Sequence, residues 1–179
     1  MSLPINPKAF FASLLVFFTA FTTQGQDKFP VPQGNKNQLF YLQRTPNTNT
    51  IVYELNYNKE VLDAEEPVHV FWIRYTEQGQ KEELNFIQRK FAYGLNSTLI
   101  AKDKYRLNFV SYKKFLMFLV KGPDNRYNVF ATINQKQVIL NRIFVKISGG
   151  SFWSPNIEYV ELKGIDATTG KEVMERMKI

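Results

Sequence analysis

Apolar and polar side chains alternate with period two along most of the chain, and that pattern predicts short strands. In residues 51–57, Ile51, Tyr53, Leu55 and Tyr57 fall on one face, and Val52, Glu54 and Asn56 on the other, the spacing of a half-buried strand. Similar aromatic or β-branched runs occupy 39–43, 68–75, 104–112, 115–121, 126–133, 138–147, 157–165 and 171–177. They give about eight or nine strands, depending on whether Tyr112-Lys113-Lys114, which lacks Gly and Pro, closes a hairpin or lies within one bent strand. Turn residues separate the runs: Thr45-Pro46-Asn47-Thr48-Asn49, Gly122-Pro123-Asp124-Asn125, Asn134-Gln135-Lys136, Ser148-Gly149-Gly150 and Thr168-Thr169-Gly170. Short connections favour an antiparallel meander, which at this strand number curls into a barrel or splits into a sandwich.

Two runs are apolar on both faces. Residues 68–75, with Val68, Val70 and Trp72 opposite Phe71 and Ile73, read as a central strand covered twice; residues 115–120 also need an outer cover. The period changes to about 3.6 only at 82–93, where Leu84, Ile87 and Phe91 share a stripe and Gly94 takes the position that ends helices. Glu82 and Glu83 would then complement the helix dipole in the first turn. This single packed helix is the expected cover of residues 115–120. The fold class is therefore mostly β with one α-helix.

Residues 9–21 form an apolar run after Lys8, too short to span a bilayer as a helix and fitted to a secretory signal. Thr23 and Gly25 are the small residues expected before cleavage. An uncleaved interfacial anchor is the alternative. The expected organisation is a signal peptide at 1–25, an irregular lead-in at 26–37 rich in Pro, Gly and Asn, and a single domain at 38–179, exported to the periplasm or outside the cell. No segment after the signal is long and apolar enough to be a transmembrane helix.

Export changes how the composition reads. Cleavage leaves 154 of 179 residues without one Cys, so neither disulfides nor thiol chemistry are available, and packing must rely on aromatic residues, of which the full chain has 16 Phe and 9 Tyr. Without Lys8, 22 Lys and Arg face 16 Asp and Glu, a net charge of +6. This favours anionic partners, or serves solubility alone. Export argues against nucleic acid and leaves hydrophobic or anionic small molecules, glycans, lipid head groups and envelope proteins.

Catalytic signals are sparse. His69, the single histidine, excludes His-pair metal motifs and reads as a buried neutral imidazole with a backbone partner. Asp63, Glu65 and Glu66 do not match a calcium-loop spacing, so no metal or cofactor is predicted. A hydrolase working through two carboxylates is a minor alternative. Binding signals are better represented. Phe152 and Trp153 fall in the 148–156 connection, either displayed for a ligand or folded back as a plug over one barrel end. Arg89 and Tyr93 place a guanidinium near a ring on the helix, with a Glu82 ion pair as the alternative for Arg89. Asn141 stands among Ile139, Ile143 and Val145 as a cavity wall or a structural amide. The expected activity is non-enzymatic binding of a hydrophobic or anionic ligand in the barrel mouth, with Arg89, Tyr93 or Asn141 orienting its polar end. The alternative is an assembly component that contacts another envelope protein through exposed strands or Phe152 and Trp153.

The stretch Leu84-Asn85-Phe86-Ile87-Gln88-Arg89-Lys90-Phe91-Ala92-Tyr93-Gly94 resembles a family of secreted bacterial proteins known only as a domain of unknown function. Further stretches at 39–44, 49–53, 70–73, 142–145, 161–164 and 169–171 are similar to that family's pattern. The resemblance implies export and one intact domain, and it assigns no residue a role.

Overall fold

The computed structural model describes residues 29–178, so the expected signal segment at 1–25 lies outside the described residues. Strands β1 (Gln38–Arg44) and β2 (Thr50–Leu55) form a hairpin whose alternation sends Phe40, Leu42, Ile51, Tyr53 and Leu55 into one core. A small ribbon follows, β3 (Tyr57–Asn58) and β4 (Val61–Leu62), turning through Lys59 and Glu60 at positive φ. Next come β5 (Val68–Arg74), a 3-10 turn at Tyr75–Glu77, and β6 (Gln80–Glu83). Helix α1 begins as Phe86–Gln88 and widens into a π turn over Arg89–Tyr93. The remaining strands are β7 (Leu95–Ala101), β8 (Lys104–Phe109), β9 (Met117–Lys121), β10 (Tyr127–Ile133), β11 (Lys136–Gly150), β12 (Pro155–Asp166) and β13 (Glu172–Met177).

One curled, half-barrel sheet runs in the order β6-β5-β2-β1-β11-β10-β9-β8-β7, with β12 and then β13 added along the other side of β11. It is mostly antiparallel, as the short turns predict. Leu107 opposite Met117 shows that 110–116 joins β8 and β9 as a hairpin. One pair departs from a meander: β1 runs parallel to β11, from Tyr41 opposite Arg142 to Arg44 opposite Val145. Strand β11 accommodates this by using one edge twice. Its first residues pair with β10, Phe130 opposite Ile139, and its later ones with β1. Asn141 marks the change, as the extra residue of a β-bulge between the Leu140–Gly164 and Arg142–Lys163 pairs. The bulge resets the side-chain phase, so that Val138 and Leu140 face the core before it and Ile143 and Val145 after it. Gly164 sits opposite, where a Cβ would come within 2.5 Å of the Ile139 carbonyl oxygen.

The concave side is filled. Phe40, Leu107, Met117, Leu119 and Leu140 have 0% exposure, each such burial contributing about 1.5 to 3 kcal/mol. Phe40 stacks on Tyr53 with ring centroids 4.3 Å apart, and Phe109 meets both edge-on. On the convex side the segment 29–37 forms no strand or helix, as Pro30, Pro32 and Gly34 predict. It nevertheless lies on the sheet: Phe29 meets Phe144 at 5.1 Å, and the Pro30 carbonyl accepts from Gln43 Nε2 at 2.8 Å.

Several expectations are corrected. Strand β5 is second from the edge, and its outer side is covered by the Lys81 ammonium, 3.7 Å from the Phe71 ring centroid, and by the His69 ring. Glu82 and Glu83 belong to β6, opposite Trp72 and Phe71, so the helix starts later than the periodicity suggests. Leu84 is buried but precedes the helix, whereas Ile87 and Phe91 are exposed and Tyr93 packs inward. The π turn shifts the phase that a 3.6-residue projection assumes. Gly94 is extended (φ −63°, ψ 159°) and is needed for close approach, since a Cβ there would lie 2.0 Å from the Arg89 carbonyl oxygen. The helix docks on β2 and β5 through Tyr53, Trp72 and Tyr93 instead of covering β9, whose outward Phe118 and Val120 are half-buried without it.

Candidate functional site

Helix α1 and the β11–β12 hairpin tip meet at one end of the half-barrel. Asn85 caps the helix: its Oδ1 accepts from Gln88 N–H at 2.9 Å, and Gln88 Oε1 accepts from Asn85 N–H at 3.1 Å. The same Gln88 Oε1 accepts from Trp72 Nε1 at 3.2 Å, and Tyr53 Oη donates to the Tyr93 carbonyl at 2.9 Å. These bonds fix the helix with Tyr93 inward, edge-on to Trp72 at 5.3 Å, and turn Phe86, Ile87 and Phe91 to solvent. The hairpin extends past the end of β1, held where Thr45 Oγ1 accepts from Ile147 N–H at 2.7 Å. Only Ser151 to Ser154 remain as a loop, and they carry Phe152 and Trp153, 49% and 67% exposed. Trp153 reaches Phe91 at 5.7 Å and Phe152 at 5.0 Å, while Lys90 Nζ lies 5.2 Å from the Phe86 ring centroid and 5.7 Å from that of Phe91. The result is one continuous exposed surface of four aromatic rings around a lysine.

The predicted site residues divide around this surface. Phe152 and Trp153 belong to it, displayed at the tip and resting on Phe91. Arg89 turns away, its guanidinium 3.1 Å from Glu66 and 3.4 Å from Glu83, whereas Glu82 pairs with Arg74. The cation beside Tyr93 is Arg44, with its Cζ 5.9 Å from the ring centroids of both Trp72 and Tyr93. Burial raises the Tyr93 phenol pKa against the opposing charge and hydrogen bond of Arg44. Arg44 Nε is buried and finds no hydrogen-bond partner among the described residues. The barrel mouth is thus occupied by Arg44, Trp72 and Tyr93. Asn141 is half-buried at the bulge and forms no part of the cluster.

His69 does not take the buried, backbone-held position expected of it. On the outer side of β5, its Nδ1 lies 3.2 Å from Glu54 and its Nε2 2.9 Å from Glu83. One contact is a hydrogen bond in either neutral tautomer, and both are when the ring is protonated. Burial works to raise the Glu54 carboxyl pKa, but hydrogen bonds from Asn35, Lys81 and His69, with the Lys81 charge, outweigh it and hold the group below its ordinary value. Further round the convex side, buried Glu161 accepts from Arg142 at 3.4 Å and Arg176 at 2.8 Å, and Arg142 Nε donates to Gln43 Oε1 at 2.8 Å. These carboxylates are tied into ion pairs that join strands. Among the described residues no group of three or more His, Asp or Glu could hold a metal ion.

Fold and surface together define a mixed β half-barrel domain with a filled interior and an exposed aromatic cluster. The chain belongs to the family described as Domain of unknown function (DUF4833), whose model matches residues 40–176. No curated protein and no solved structure matches it.

Proposed function

We propose that the protein is an exported, non-enzymatic binding module that contacts a hydrophobic or anionic ligand of the cell envelope through the rings of α1 and the hairpin tip. The observation that carries this reading is the exposure of Phe86, Phe91, Phe152 and Trp153 as one surface, since contiguous exposed apolar area marks interaction sites. The apolar run at 9–21 supports export. Binding is superficial, because Arg44, Trp72 and Tyr93 take the space at the barrel mouth.

The chain carries its own probe. Of its two tryptophans, Trp72 is 4% exposed and Trp153 67% exposed, so a change in emission on binding reports Trp153. Titration with isolated lipid, glycan and protein fractions of a bacterial envelope is expected to shift Trp153 emission to the blue with at least one fraction and shield it from acrylamide, and Phe91→Ala to weaken the response. A folded protein whose emission ignores every fraction would refute the reading. Contact with another protein by strand addition is a second reading, favoured by edge strand β7, where Leu99 and Ile100 are 56% and 44% exposed.

A further inference from the structure

We propose that the aromatic cluster docks on an anionic lipid surface, an inference that rests on the binding-module reading and names its partner. The first reason is the distribution of charge. Residues 84–157 carry twelve Lys and Arg against two Asp, a net +10, while the rest of the chain carries 11 against 14, a net −3. Of the two Asp, Asp103 is engaged by the Tyr127 hydroxyl at 2.8 Å.

The second reason is where the cations stand. Lys90 lies within the cluster. Lys113 and Lys114 are exposed in the β8–β9 turn, which is fastened to the helix end by Ser111 Oγ donating to the Ala92 carbonyl at 2.6 Å and Val110 N–H to the Gly94 carbonyl at 3.0 Å. That turn also exposes Tyr112 and Leu116. None of the three lysines pairs with a carboxylate among the described residues, and Glu66 and Glu83, the two carboxylates that reach the helix, are engaged by Arg89.

A soluble anion would use the lysines and leave the rings in water, and a neutral apolar groove would bury the rings and leave the lysines unpaired. An anionic bilayer uses both. Aromatic side chains favour the head-group region, and cations beside them gain from the surface potential.

The test is sedimentation of the protein as recovered from the producing cells with vesicles of phosphatidylcholine and of phosphatidylcholine mixed with phosphatidylglycerol. All variants share one N-terminus verified by mass, so that a contribution from residues before the domain cancels. Binding is expected to require phosphatidylglycerol, to weaken at high salt, and to shift Trp153 emission to the blue. Lys113→Gln and Lys114→Gln should each weaken it about five-fold, and Phe91→Ser should abolish the emission shift while far-UV circular dichroism is unchanged. Equal binding to both vesicle types, or lysine variants that bind like the parent, would overturn the lipid assignment. So would binding to heparin, a soluble anionic glycan, without binding to vesicles, although that result leaves the binding-module reading standing. Indifference of Trp153 to vesicles, heparin and every envelope fraction would remove both.

Discussion

Tyr53 links sheet and helix through one hydrogen bond made in a fully buried setting. Burial first, and the neighbouring Tyr93 second, raise its phenol pKa well above the ordinary value, so it stays a donor to the Tyr93 carbonyl. Tyr53→Phe is expected to lower stability by about 1 kcal/mol and to speed amide exchange in residues 86–93, measured by urea unfolding and hydrogen exchange. Glu161 is 4% exposed and accepts from Arg142 and Arg176 together. Glu161→Ala leaves two partly shielded guanidinium groups without their acceptor and should cost about 1.5 to 3 kcal/mol, more than Arg176→Ala on the more exposed side. At this scale the sequence left Phe152 and Trp153 either displayed or folded back as a plug, and the structure holds them exposed in the loop between β11 and β12. The sequence paired Tyr93 with Arg89, its neighbour one helical turn back, when the partner is Arg44. Alternation in β1 held that signal, since Arg44 is in phase with Phe40 and Leu42 and so points inward at the strand end.

The helix is the element whose position decides the proposed surface. The apolar spacing from Leu84 pointed to an earlier start than the Asn85–Gln88 capping box that the structure shows. Asn85→Ala is expected to cost about 1 kcal/mol. Gln88→Ala should cost more, because Gln88 Oε1 serves both Asn85 N–H and Trp72 Nε1. Paired urea denaturations check the order, and equal losses would show that the Trp72 contact contributes nothing. Strands with one buried side were legible from their period. Strand β6, Gln-Lys-Glu-Glu and exposed throughout, and β7, exposed over most of its length, were not, because edge strands form by backbone pairing and leave no apolar alternation to read.

For the whole molecule, the acidic limit of stability follows from carboxylates held in ion pairs and turns. Glu54 lies below its ordinary 4.5; Asp166, hydrogen-bonded first by the Thr169 and then by the Thr168 backbone amides, lies below its ordinary 3.8. Because the folded values are depressed, the stabilisation is complete above the ordinary values and is lost as pH falls through the folded ones. Thermal midpoints should therefore drop as pH falls below about 4.5, and Glu54→Gln should make that drop shallower while lowering the midpoint at neutral pH. The overall architecture was legible as a curled, mostly antiparallel sheet. The parallel contact between β1 and β11 was not, because nothing local in either strand encodes a partner roughly a hundred residues away, as in the 99-residue separation of the Gln43–Arg142 hydrogen bond. The bulge at Asn141 couples the two ends of that long strand as a reading frame does. Were the bulge flattened with Asn141 kept in the ladder, strict alternation from Leu140 would send Arg142 and Phe144 inward and Ile143 and Val145 outward, exchanging aliphatic filling for a guanidinium. Deletion of Asn141 removes only the extra residue and keeps Ile143 and Val145 inward, so soluble folded protein should survive both it and Asn141→Ala, and loss of the fold on deletion alone would show that the bulge itself is needed where β11 passes from β10 to β1.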